Sequence, residues 1–220
     1  MIDELAYAGP EHLDDDFVTG YDRKQGWPDP EPDIEAFLAQ GLGGSSSIVD
    51  LGAGTGRFAL AAGRVFGRVV AVDVSPAMVA RLRTHDLEVV RAGFLSYAHS
   101  GPPVDGVFTR NALHQLPDFW KAVALQRIAS MLRPGGVLRV RDLIYDFAPD
   151  EADAVFERWL AGAATDPALG YTAEDYAVHI RTEYSTYRWL FEPMLEATGF
   201  EIVDVAFVER LYGAYTCVRR

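Results

Sequence analysis

The chain has 220 residues, about half of them apolar, a single cysteine and a formal net charge of −12. That length suits one α/β domain with a modest insertion, large enough to bury a core without a disulfide or metal staple. The acidity repels phosphate backbones and anionic lipid, and no apolar run approaches the ~20 residues of a membrane span, so neither nucleic acid nor membrane is an expected partner.

Asp3 and Glu4 follow Met1 where a signal peptide would be basic and then apolar, so a cytoplasmic location is expected. The first ~32 residues read as an acidic arm, with Tyr21 and Trp27 as candidates to cover a ligand. A short helix is expected over Asp33–Leu42, capped by Asp33 and ended by Gly41, Gly43 and Gly44. From Ser47 strands and helices alternate. Strands are expected at Ile48–Leu51, Val69–Val72, Leu87–Val90, Val104–Thr109 and Val137–Leu143. Helices are expected at Arg57–Phe66, after the Ser75 cap with Pro76 at its first position, and at Pro117–Leu132. That rhythm makes a parallel sheet with right-handed crossovers.

The segment Ile144–Gly199 is longer than one crossover needs and reads as helices over Asp150–Ala164, Thr172–Arg181 and Ser185–Thr198. Two alternating stretches, Phe200–Val208 and Ala214–Val218, then form an antiparallel hairpin on the sheet edge. Cys217 lies in the second, where a small buried residue is expected rather than a reactive thiol.

The chemistry centres on Val49-Asp50-Leu51-Gly52-Ala53-Gly54-Thr55-Gly56-Arg57, a strand running through three alternate glycines into a helix. Glycines there admit positive φ and let a ligand lie against the backbone, where free N–H groups would face its polar end. A dinucleotide fingerprint would place its third glycine at Arg57, and no P-loop lysine follows, so the spacing argues against NAD and ATP. Asp73 ends the next strand. A parallel sheet sets it beside the glycine loop, where its carboxylate can accept hydrogen bonds from both hydroxyls of a ribose.

These elements resemble the class I (Rossmann-like) S-adenosylmethionine-dependent methyltransferases, in their small-molecule branch. Asp50–Gly56 resembles that family's first motif and Asp73 its ribose-binding acid. Arg91–Leu95 is similar to the loop bordering the adenine, with Gly93 or Phe94 where the family carries an acid. Asn111–Asp118 is similar to the segment at the methionine end, and Leu132–Gly136 to the turn before the fifth strand. The resemblance implies a seven-stranded, mostly parallel sheet with a C-terminal antiparallel hairpin and a helical cap insertion. It divides the chain into an arm and helix (1–44), a cofactor-binding core (45–143), an acceptor-binding cap (144–199) and the closing hairpin (200–220). It implies S-adenosylmethionine as cofactor, against Gly52, Ala53, Gly54 and Gly56, with Asp73 on the ribose. Val74, Met78, Gly93 and Phe94 would lie near the adenine and Asn111 near the methionine part.

A sulfonium methyl is already activated, so the protein's task is in-line alignment with water excluded. A base is needed only if the acceptor must lose a proton. His114, just past the fourth strand, is the first candidate for that base, and His179 with Tyr184 and Tyr187 is a second. Ten aromatic residues between Tyr145 and Phe191 suggest a cap that favours an apolar or aromatic small-molecule acceptor. Tyr145 is the first candidate to line that pocket, ahead of Glu183–Tyr187, while Arg141 and Asp142 end the fifth strand at its rim. The expected state is a monomer or homodimer. Two other readings stay open, a methyltransferase acting on RNA or protein and a cofactor-binding protein without transfer activity. The acidic charge and the lack of an N-P-P-Y-like motif count against the RNA or protein reading.

Overall fold

The computed structural model describes residues 2–9, 15–26 and 29–220. Trp27, named above as a possible ligand cover, lies outside them. Among the described residues three helices, α1 (Glu4–Tyr7), α2 (Asp15–Lys24) and α3 (Glu31–Ala39), precede the sheet. The core then runs β1 (Ser47–Leu51), α4 (Arg57–Ala62), β2 (Arg68–Asp73), α5 (Pro76–Leu82), β3 (Glu88–Arg91), β4 (Val104–Arg110), α6 (Asp118–Met131) and β5 (Leu132–Tyr145). The cap holds α7 (Ala152–Ala161), α8 (Ala173–Thr182), a two-residue β6 (Thr186–Tyr187) and α9 (Arg188–Ala197), and β7 (Phe200–Val208) and β8 (Tyr212–Arg219) close the chain.

The strand order is β3-β2-β1-β4-β5-β8-β7, parallel through β5 and antiparallel beyond it. This is the expected sheet, with β6 added where Thr186–Tyr187 pairs with Ile144–Tyr145. The order reverses at β1, so a crevice opens at the carboxyl ends of β1 and β4, where ligands bind in such sheets. Period-two patterning feeds both faces. Ile48 and Val69 pack with Ile34, Phe37, Phe58 and Leu82 of α3, α4 and α5. Val49, Leu51 and Val70 pack with Leu125, Ile128, Phe191 and Leu195 of α6 and α9.

Two local expectations differ. Asp33 does not cap α3, which begins at Glu31. Its carboxylate is fully buried and accepts from Arg139 Nε at 2.9 Å and Arg141 Nη1 at 3.2 Å. Tertiary ion pairing has recruited a residue whose type suits a cap. The Pro134-Gly135-Gly136 turn is absorbed into β5, where the register against β4 shifts and Gly135 takes φ +71°. Thr172 does cap α8, its hydroxyl accepting from Asp175 N while the Asp175 carboxylate accepts from Thr172 N. No helix among the described residues is long and apolar enough to cross a membrane.

Candidate active site

The glycine loop turns on three positive φ values, +75° at Gly52, +55° at Gly54 and +87° at Gly56. At Gly52 a Cβ would lie 2.5 Å from the Ala112 Cβ, and at Gly56 2.6 Å from a Leu82 methyl. The loop does not offer the row of free N–H groups expected from its composition. Gly52 N and Ala53 N donate to Val72 O at 2.9 and 3.0 Å, Gly56 N donates to Ala53 O, and Gly54 N donates to Asp73 Oδ2 at 2.8 Å. What the glycines supply is a close-fitting wall rather than an anion cradle. Gly52→Ala is therefore expected to abolish binding of the demethylated cofactor, S-adenosylhomocysteine, in calorimetry, since the added methyl strains φ and collides with Ala112 in the cleft wall.

Asp73 is nearly buried, with Oδ1 accepting from Ser75 N and Oδ2 from Gly54 N, both at 2.8 Å. Burial pushes its carboxyl up to about 6, against the opposing pull of the Ser75, Gly54 and Val74 N–H groups. Ser75 caps α5 through Met78 N at 3.2 Å, leaving Asp73 free of the capping role.

A narrow cleft runs along this wall, lined by Gly52, Gly54, Asp73, Val74, Met78, Gly93, Phe94 and Asn111, eight of the ten residues expected around the cofactor. Ala53 and Gly56 are not among its lining residues, since Ala53 faces the α3–α4 core and Gly56 abuts Leu82. Asn111 takes φ +47°, a left-handed conformation asparagine tolerates, and its side-chain amide donates to Gln25 Oε1 at 3.2 Å. Tyr21 of α2 lines the same cleft, and Thr55 Oγ1 donates to the Asp22 carboxylate at 2.5 Å, so α2 is tied across the loop.

Glu4 was not legible from sequence. Its carboxylate accepts from Leu95 N at 2.8 Å and Ser96 Oγ at 2.7 Å. Its nearest oxygen lies 2.4 Å from where a Gly93 Cβ would stand, the span from Cβ to carboxylate in an aspartate. The N-terminal helix thus returns an acid to the place where the loop sequence lacks one. Glu4→Ala is expected to lower S-adenosylhomocysteine affinity, and Gly93→Asp in that background to restore part of it, by calorimetry.

The cleft shares Tyr21, Asn111 and Gln115 with a larger cavity of about 570 Å³ between the sheet edge and the cap. Trp159, Tyr171, Tyr176 and Tyr212 supply apolar walls, and Lys24, Arg110, Arg141, Asp142, Asp175, His114, His179 and Glu183 supply charge. His114 sits on a 3₁₀ turn, nearly buried, with Nδ1 2.5 Å from Asp142 Oδ1. Asp142 also accepts from Leu113 N, Ala112 N and Leu143 N, so the base of the turn is fixed. Nε2 of His114 lies 2.9 Å from Glu183 Oε2. Burial opposes protonation of His114, but the flanking Asp142 and Glu183 carboxylates outweigh it and hold its pKa up at about 9.

Glu183 is brought there by backbone. Tyr184 N donates to His114 O at 2.9 Å, and the buried Lys121 donates to Tyr184 O, Leu116 O and Asp118. Lys121, too, gave no signal in sequence beyond its place on a helix. Tyr145 is placed elsewhere than expected. It is buried against Phe147, Phe156 and Tyr187 and is not among the residues lining the cavity. Burial pushes its phenol up to about 12, and it reaches the cluster through Ser185, which also meets His179.

Residues 48–136 match the family described as methyltransferase domain. That match covers about two-fifths of the chain. An uncharacterised chloroplastic methyltransferase of Arabidopsis thaliana is 34% identical over 137 residues, 55% of this chain and 38% of that protein. An O-methyltransferase of Aspergillus sclerotiorum is 28% identical over 153 residues, 60% of this chain and 56% of that one. This chain thus spans about two-fifths of the first relative's length and just over half of the second's. The magnesium protoporphyrin IX methyltransferase of Synechocystis, solved with S-adenosylmethionine bound, superposes with a TM-score of 0.66 at 13% identity, covering 100% of this chain and 99% of that one. At that identity the likeness establishes the fold, and it is the Rossmann-like methyltransferase fold expected from the motifs.

Proposed function

We propose that the chain transfers a methyl group from S-adenosylmethionine to a small-molecule acceptor held in the cavity beneath the cap. The observation that carries this is the junction of two spaces, a glycine-walled cleft ending on Asp73 and an aromatic cavity with convergent polar groups, meeting at Tyr21, Asn111 and Gln115. The cleft fits an adenosyl group by chemistry, with a paired-oxygen acceptor at Asp73 and apolar walls at Phe94 and Met78. The cofactor would supply a methyl carbon already activated on sulfonium sulfur. The chain's own residues would do the rest. Asp73 would hold the ribose, Asn111 would border the methionine end, and α2 and the cap would exclude water. His114, with its orientation set by Asp142, is the group we assign to the acceptor end. Tyr145 acts at one remove, by packing the cap behind it.

Arg110 and Arg141 both line the cavity, and burial together with the charge of Arg141 depresses the Arg110 pKa. Asp33 already neutralises Arg141, so Arg110 is the guanidinium placed to take an anion, and we assign the acceptor a carboxylate or similar group beside its apolar body. Arg110→Ala is expected to raise the acceptor's KM with S-adenosylhomocysteine affinity unchanged. A matching fall in cofactor affinity would mean that the arginine serves the cofactor's own carboxylate.

Incubating the protein with methyl-labelled S-adenosylmethionine and a metabolite extract tests the whole reading. Label is expected in a low-molecular-weight product. Label confined to protein or RNA, or none transferred, would overturn it.

A further inference from the structure

His114, His179 and Glu183 come from a turn, a helix and the segment after it, and their ligand-type atoms all lie within 4.8 Å of one another. Glu183 Oε2 is buried between the rings, 2.9 Å from His114 Nε2 and in contact with His179 Nδ1. Yet no hydrogen bond of good geometry reaches that oxygen. The imidazoles meet at 64° with centroids 5.2 Å apart, and His114 Nε2 and His179 Nδ1 both face Glu183 Oε2.

The far nitrogen of each ring is held. His114 Nδ1 meets Asp142 at 2.5 Å and His179 Nε2 meets Ser185 Oγ at 2.9 Å. A carboxylate or hydroxyl behind the imidazole is how proteins fix the tautomer and orientation of a metal-binding histidine. The cluster also joins two carboxylates, Asp142 and Glu183, whose counter-charge is the His114 imidazolium and would become the ion when a metal binds and displaces the Nε2 proton. All four side chains line the large cavity, which provides an entry path and an open side, and the Gln115 amide lies 3.2 Å from His114 Nε2 at its edge.

We propose that His114 Nε2, His179 Nδ1 and Glu183 Oε2 bind one divalent first-row transition-metal ion, of the Zn²⁺ or Co²⁺ type, at the acceptor end of the cavity. Two imidazoles and a carboxylate form a catalytic zinc ligand set that leaves a position open, whereas Mg²⁺ and Ca²⁺ prefer oxygen alone. This deepens the methyltransferase reading and rests on it for the ion's role. An acceptor hydroxyl on the open position would release its proton to solvent at a lowered pKa. Its oxygen lone pair would then form the bond to the methyl carbon as the carbon–sulfur pair returns to sulfur, giving a methyl ether, the neutral thioether and one proton.

The test uses the full chain, stripped with a chelator and titrated with Co²⁺. One equivalent per chain is expected, with visible d–d bands that His179→Ala and Glu183→Gln abolish. Asp142→Asn is expected to weaken affinity about 10–100-fold, as outer-shell changes do. S-adenosylhomocysteine binding should persist in all three variants, since none of these residues lines the narrow cleft, and that persistence shows they are folded. Absence of stoichiometric Co²⁺ in the wild type, or bands surviving in His179→Ala/Glu183→Gln, would overturn the site. Product formation undiminished after chelation would overturn the acceptor-ligating role. Failure of the wild type to bind S-adenosylhomocysteine would instead strike the cofactor reading and leave the Co²⁺ result standing.

Discussion

Asp73→Ala is expected to weaken S-adenosylhomocysteine binding by about 1.5–3 kcal/mol, on the order of 10- to 100-fold, because two charge-assisted hydrogen bonds to the ribose are lost. The same change strips the acceptors from Gly54 N and Ser75 N, so part of the loss would come from a loosened loop. Asp73→Asn separates the two effects, keeping the shape and one acceptor while removing the charge. Calorimetry on both variants checks the assignment, and unchanged affinity in Asp73→Ala would remove the ribose role.

The pH dependence follows from the same group. Its carboxyl sits at about 6 in the folded chain against 3.8 for an ordinary aspartate. Below about pH 6 it becomes a neutral acid with fewer acceptor sites, so cofactor affinity is expected to fall as pH drops through that value. Folding stability runs the opposite way. A raised folded pKa means that the native state binds the extra proton, so the contribution is complete below the unfolded pKa near 3.8 and is lost as pH rises through about 6. The two units amount to roughly 3 kcal/mol. Denaturant midpoints across pH 4 to 7, with and without S-adenosylhomocysteine, resolve both trends.

Asp33→Ala carries the largest expected stability loss, about 3–5 kcal/mol, because it leaves the Arg139 guanidinium nearly buried without its main counter-charge. Thr216 Oγ1 at 2.9 Å and the exposed Asp204 carboxylate at 4.0 Å compensate little. Arg141 loses the same partner. In a chain of this size the melting temperature is expected to fall on the order of 10 °C. Pairing Asp33→Ala with Arg139→Met should recover much of it, since a buried ion pair replaced by apolar groups is often neutral. A single-variant loss below about 1 kcal/mol would show that water reaches the arginine.

The sequence by itself determined the frame. Apolar strands at Ile48, Val69, Val104 and Val137, spaced by helices, leave a handful of ways to wind a parallel sheet, each with a switch point at its carboxyl edge. The glycine loop and Asp73 then fall at its switch point because local backbone geometry puts them there. Eight of the ten cofactor contacts expected from the motifs line the cleft for that reason. The tertiary structure alone decided what lies across that frame. It turned Asp33 from a cap into a counter-ion, spent the loop's N–H groups on Val72 and Asp73, and swung Glu4 against Gly93. It set Tyr145 behind the large cavity and gathered His114, Asp142, His179 and Glu183 along its wall. Spacing along a strand or helix fixes where a side chain points within its own element. Convergence of side chains from a turn, a strand end and a cap helix depends on how those elements pack, and no local pattern encodes it.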